Sequence, residues 1–348
     1  MNPLNYIELQ DLATSNVIVD TRDYPKKLSK YKSIKGKVII LSQHGDLLLE
    51  ENIKNSLERN NNNYYIFLTT HDVSLSLKDD LAGVASFFTI PSAYAEYVKS
   101  INTVSVDLTT IPNSQKIKHF LSLNNRASWF RQGLFYFFKN FNLLEKSYFS
   151  YIGDLDRSNY SSLDAIDVEF ISSENGKVWY ANNIDFKLIK NQIPYFTGLE
   201  IPKGIDWTIG HIKYYQDCFC SIVTETYSLE QQVFFTEKTF KPILFYQPFL
   251  LHSNPNSYKK LQDIGFKTFE NWFDCSYDSL SGRHRFESML KLILEIGEWS
   301  VEKINKTYQE MLPVLEYNHN HFTTTLPMLY NEEITKIKNK IREIIDNQ

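Results

Sequence analysis

One repeated pattern constrains this chain most: a short apolar run without alternation, followed by a polar stretch. It occurs at residues 16–20 (NVIVD), 37–42 (KVIILS), 64–70 (YYIFLTT) and 86–90 (SFFTI). It returns at 116–122 (KIKHFLS), 147–152 (SYFSYI), 218–224 (CFCSIVT) and 248–252 (PFLLH). A strand with one wet face alternates apolar and polar residues, whereas one covered on both faces does not. Runs of the second kind, separated by helical stretches such as 47–59 and the aromatic-rich 129–141, predict parallel sheets flanked by helices. GFKTF at 265–269 reads as a further strand. Helix is expected from Arg285 to about Leu312 and from about Glu332 to Asp346.

The pattern pauses at 104–114, a polar stretch containing a proline, and then resumes. A chain of 348 residues exceeds one ordinary core, so this pause divides it. The expected domains are residues 1–112 and 113–330, followed by a closing helix at 331–348. That helix places Ile334, Ile337, Ile341, Ile344 and Ile345 on one face and lysines on the other. It is expected to pack back on the first domain, the alternative being a membrane surface. A net charge of -4 argues against a broad nucleic-acid surface. Three cysteines are too few for a disulfide framework and favour a reducing compartment. No basic segment leads into an apolar run at the start, and no run approaches the ~18 apolar residues of a membrane span. The expected location is therefore cytoplasmic, with peripheral membrane attachment as the alternative.

Ligands of open α/β sheets gather outside the carboxyl ends of the strands. In FFTEKTFKP, residues 234–242, Thr236 is placed to cap a helix whose free amides and dipole attract phosphate. Lys238 adds a point charge suited to a diphosphate, and Glu237 can accept from two vicinal ribose hydroxyls. The alternative is a solvated pair on a capped surface helix. SLNNR at 122–126 leaves a strand through Asn124 toward Arg126 and Arg131, whose planar guanidinium forks suit phosphate oxygens. Glu225 ends the strand at 218–224, where it can bond a sugar hydroxyl or orient Lys238.

The order of these segments resembles the donor-binding domain of α1,3-fucosyltransferases and related GT-B glycosyltransferases. It also resembles phage and bacterial glycosyltransferase-like proteins that carry TEKTFKP and GFKTF, here at 236–242 and 265–269, with Tyr277 and Asp278 downstream. The likeness covers roughly residues 115 to 295. It implies an α/β, GT-B-like fold: two Rossmann-like domains facing a cleft, with a C-terminal helical extension. By this resemblance Glu237 binds the donor ribose, and Lys238 with Arg126 or Arg131 binds the diphosphate. Phe234 and Thr226 stand where the family has Tyr and Asn, which widens the implied donor from GDP-fucose to nucleotide-diphosphate sugars, a GDP-sugar being favoured. The nucleotide sugar is then a co-substrate, with no metal and no further cofactor implied.

An inverting transfer needs a base within reach of the acceptor hydroxyl. His44, Asp46, His71 and Asp72 each follow a strand. Asp46 is favoured, since it and His44 flank Gly45 in a loop that allows close approach. The expected function is transfer of a sugar to a glycan or another hydroxyl acceptor. The alternatives are a DNA-modifying transferase of phage type, disfavoured by the charge, and an inactive nucleotide-sugar or glycan-binding protein. Cys218-Phe-Cys220, Asn318-His-Asn-His321 and Arg283-His-Arg285 are read as structural.

Overall fold

The computed structural model describes residues 12–20, 37–42, 63–69, 75–81, 85–89, 108–124, 129–151, 195–196, 212–225, 233 and 235–347. The chain forms two compact α/β units, one of Met1–Ser105 with His321–Gln348 and one of Val106–Asn320.

In the first unit, β1 (Val17–Asp20), β2 (Val38–Ser42), β3 (Tyr64–Thr69) and β4 (Ala85–Thr89) form a parallel sheet in sequential order, with α1 (Leu75–Asp80) between the last two. A sheet that grows in one direction draws its right-handed connections onto one face, so the other face needs a separate cover. The last helix of the chain supplies it. Val17, Val38 and Tyr64 form one row across the strands, and Val19, Ile40 and Ile66 the next. Tyr330, Ile334, Ile337, Ile341 and Ile344 close over these rows as one core. Ile39 and Phe67, on the opposite face, are equally buried, which explains the lack of alternation in the sequence.

In the second unit the sheet order is β7-β6-β5-β8-β9. Strands β5 (Lys118–Asn124), β6 (Ser147–Tyr151), β8 (Cys218–Thr224) and β9 (Phe249–His252) are parallel, and β7 (Tyr195–Phe196) is an antiparallel edge. From β5 the chain moves to β6 on one side through α2 (Trp129–Asn140). It returns through α3 (Ile212–Asp217) to β8 on the other side and reaches β9 through α4 (Glu237–Leu244). Right-handed crossovers in opposite directions place α2 and α4 on opposite faces. On the α2 face, the Phe138 ring lies 5.5 Å from Phe120 and 4.9 Å from Phe149. The chain continues through α5 (Ser257–Asp263), α6 (Gly282–Gly297) and α7 (Val301–Asn320). The first unit closes with a π turn at His321–Thr325 and then α8 (Leu326–Asp346).

Three local expectations are corrected. β5 begins at Lys118, not Lys116, and extends to Asn124. Lys116 is buried ahead of the strand, its ammonium donating to the carbonyls of Tyr215 (2.9 Å) and Gln216 (3.1 Å) at the end of α3. Burial pushes its pKa down to about 7. GFKTF is not a strand. Gly265, at φ 96°, ends α5: its N–H donates to the Gln262 carbonyl, and that of Phe266 donates to Leu261. The backbone that follows is paired by a side chain, since Asn318 accepts from Lys267 N–H and donates to its carbonyl, both at 2.8 Å. The third correction concerns the late helices: α6 starts at Gly282, α7 runs on to Asn320, and α8 begins six residues before Glu332, at Leu326.

Candidate ligand-binding site at the strand ends

Strand order reverses between β5 and β8, so their carboxyl ends diverge into opposite connections. This is where an α/β sheet leaves room for a ligand. On the α2 face the space is filled by a buried polar network. The Thr224 hydroxyl donates to Asn124 Oδ1 (2.7 Å) and accepts from Arg131 Nε (3.1 Å), while Arg131 Nη2 donates to the Thr224 carbonyl (2.9 Å). Asn124 also donates to Ser122 Oγ (3.0 Å). Arg131 and Asn124 are thus brought together at the expected place, but both are buried, and the guanidinium braces the end of β8.

The opposite face carries the second network. Glu225 is fully buried. Its Oε1 accepts from Thr236 N–H (2.9 Å) and the Thr239 hydroxyl (2.6 Å), and its Oε2 accepts from the Thr236 hydroxyl (2.6 Å). The carboxylate therefore anchors the first turn of α4. Thr236 caps that helix as expected, accepting from Lys238 N–H at 3.3 Å. Pro242 sits within α4, and the helix stops at Leu244, ahead of Pro248.

Glu237 and Lys238 point outward from this anchored turn. Their side chains are 26% and 29% exposed and paired at 3.1 Å, and Lys238 Nζ also reaches Thr236 Oγ1 at 3.1 Å. Burial alone would raise the Glu237 pKa, but the ammonium of Lys238, its hydrogen bond and the nearby Lys241 outweigh it and hold the carboxyl below its usual range. Burial brings Lys241 down to about 8, against the pull of Glu237 and with the push of Lys238. Leu123 of the central strand is 39% exposed between buried neighbours. Two residues beyond the Leu121–Ser221 pair, Leu123 and Val223 share a face, and Glu225 lies on that face as well. The start of α4 thus presents two opposite charges, and the sheet face that carries its anchor Glu225 also carries Leu123.

No family model matches the chain, and no curated protein matches it.

At the end of β9, His252 lies between the rings of Phe130 (4.5 Å) and Phe286 (5.1 Å). Burial, and then the nearby Arg285 and Arg131, push its pKa down to about 3. Arg285 is buried against Asp278: its guanidinium donates to Asp278 Oδ1 (2.9 Å) and to the carbonyls of Leu251 and Tyr277 (both 3.1 Å). Asp278 Oδ2 takes the N–H groups of Tyr258 (3.0 Å) and Lys259 (3.3 Å) at the start of α5. His319 stacks on Tyr246 at 4.1 Å and bonds the Leu244 carbonyl.

His44, Asp46, His71, Asp72 and Arg126 lie outside the described residues, as do Thr226 and Phe234. The Asp-Leu-Asp spacing at 154–156, which sequence reasoning missed and which runs against the expected absence of a metal, likewise lies outside the described residues. Among the described residues, no group of three His, Cys, Asp or Glu side chains is placed to hold a metal. Sequence reasoning missed Thr224 and Thr239, the hydroxyls that join the two networks to strand and helix. A Thr-x-x-Thr spacing at a helix start, opposite a strand-end carboxyl, was the available signal.

Proposed function

We propose that the chain is a glycosyltransferase of GT-B type that moves a sugar from a nucleotide-diphosphate donor, a GDP-sugar being favoured, to a hydroxyl acceptor. One observation carries the reading: the outward Glu237–Lys238 pair at the capped start of α4, beside the reversal point of the sheet. The Lys238 ammonium suits a diphosphate at the positive end of the helix, and the Glu237 carboxylate suits the vicinal hydroxyls of a ribose. Donor binding would open the ion pair and give each partner a ligand group.

Positive charge held at the leaving diphosphate offsets the negative charge that grows there as the glycosidic bond breaks. The acceptor oxygen would attack the anomeric carbon from the opposite side, with inversion, as a base takes its proton. Asp46, with His44, is proposed for that base. Arg126 remains the proposed second cation at the diphosphate, because Arg131 is committed to Thr224.

The test is a thermal-shift screen against GDP, UDP, ADP, CMP and their sugar conjugates, with Mg²⁺ or with EDTA. A ligand that binds only the folded chain raises the midpoint by mass action. The expected result is a shift with one nucleotide, insensitive to EDTA and lost in Lys238→Ala and Glu237→Ala. No shift with any nucleotide sinks the proposal, and a shift abolished by EDTA overturns metal independence.

A further inference from the structure

We infer that Glu225 is a positioning residue: its carboxylate sets the direction of the Thr236 hydroxyl, which in turn holds Lys238 in its ligand-facing place. The inference deepens the proposed donor site and rests on that reading for its binding arm.

One proton sets the polarity of this chain of bonds. A threonine hydroxyl has a single hydrogen to donate and two lone pairs. With Glu225 Oε2 at 2.6 Å, that hydrogen is directed into the carboxylate. The lone pairs of Thr236 Oγ1 are left to face Lys238, which reaches them with its N–H at 3.3 Å and its Nζ at 3.1 Å. The other carboxylate oxygen takes two more donors, Thr236 N–H and the Thr239 hydroxyl. Three donors converge on Glu225 from the first turn of α4, and a carboxylate satisfies all three because it only accepts. The chain Glu225–Thr236–Lys238 thus passes from a buried strand end to a half-exposed ammonium.

A glutamine at 225 has nearly the same shape and the wrong polarity. With its NH₂ in the place of Oε1, it meets the Thr236 N–H, donor against donor. With its NH₂ in the place of Oε2, it donates into Thr236 Oγ1, reverses the hydroxyl and occupies a lone pair that Lys238 uses. The first orientation pushes Thr236 off the carboxyl, and the second leaves one lone pair where Lys238 uses two, so either way the hold on Lys238 weakens although Lys238 itself is untouched.

The experiment compares wild type, Glu225→Gln, Lys238→Ala and the double variant by two readouts. The first is amide hydrogen exchange over 236–240, which needs no ligand. The second is affinity for GDP by calorimetry. Expected are about tenfold faster exchange over 236–240 in Glu225→Gln and about tenfold weaker GDP binding, the scale of one hydrogen bond to a charged group. The double variant is expected to bind no more weakly than Lys238→Ala, since both changes act through the same ammonium. Additive losses would overturn the inference, because Glu225 would then act independently of Lys238. Unchanged exchange with unchanged affinity would overturn it too. If wild type binds no GDP or other nucleotide, the proposed function fails, and the exchange result still decides the clamp. Should Glu225→Gln not fold, Thr236→Val removes the hydroxyl link together with the helix cap it makes, and carries the same expectation for GDP affinity.

Discussion

Replacing His252 with phenylalanine should make the second unit less sensitive to acid. The imidazole is buried between Phe130 and Phe286, and burial with Arg285 and Arg131 nearby holds its pKa at about 3. In the unfolded chain the value returns to 6.5. Above about pH 7.5 neither state binds the proton, and His252 contributes no pH dependence. As pH falls through 6.5, the unfolded chain gains a proton that the folded chain refuses. Stability then drops by up to ~1.4 kcal/mol per pH unit until about pH 3. At pH 5 the accumulated loss is about 2 kcal/mol. Phenylalanine keeps a ring between two rings and cannot take up that proton. All five tryptophans, at 129, 179, 207, 272 and 299, fall within Val106–Asn320, so their fluorescence during urea unfolding follows this unit. Wild type and His252→Phe share every other titrating group, so the difference between their stabilities isolates this one. That difference should move by about 2 kcal/mol in favour of the variant between pH 8 and pH 5. Parallel pH curves would refute the reasoning, since the histidine would then be protonated equally in both states.

Asp278→Ala should cost about 3–5 kcal/mol by urea unfolding, because it leaves the buried Arg285 guanidinium without its counter-charge; a loss under 1 kcal/mol would mean that the carbonyls of Leu251 and Tyr277 suffice. Gly297→Ala should cost about 1–3 kcal/mol, since a Cβ there would come within 2.6 Å of buried Leu143 Cδ2. Calorimetry of Gly297→Ala with Leu143→Ala should show less than the sum of the single losses. Ile337→Ala should cost about 2–5 kcal/mol in the first unit, followed by circular dichroism, because it opens a void under α8. Leu123→Ser should leave stability within about 0.5 kcal/mol, as an exposed position allows. It should reduce the nucleotide-induced thermal shift, and an unchanged shift would place the ligand away from β5.

The strands were legible because burial on both faces leaves a local mark: CFCSIVT at 218–224 has every residue buried and is a strand over that same span. The errors arose where a long-range partner did the work of a local one. GFKTF has the composition of a strand, but its hydrogen-bond partner is the Asn318 side chain 51 residues away, so no ladder forms. Lys116 opens an apolar run and looks like a strand residue. Its ammonium is instead drawn into carbonyls of Tyr215 and Gln216, about a hundred residues on, and the strand starts after it. Neither side chain announces its partner from composition.

The same limit governs the site. Five charged side chains were expected to meet one ligand near the strand ends; Arg126 lies outside the described residues, and the other four are Arg131, Glu225, Glu237 and Lys238. In the fold these four divide by solvation. A charge buried at a strand end costs several kcal/mol unless every donor or acceptor around it is matched. Arg131 and Glu225 meet that condition by turning inward, one onto Thr224 and the other onto Thr236 and Thr239. Glu237 and Lys238, beginning the helix that Glu225 anchors, retain water and each other. The inward pair therefore fixes the backbone on both sides of the reversal point, and the outward pair is left as the polar surface that a ligand can claim. Removal of an outward charge should lower affinity with little loss of stability, and removal of an inward one should lower both. That contrast separates the two classes of residue without any knowledge of the substrate.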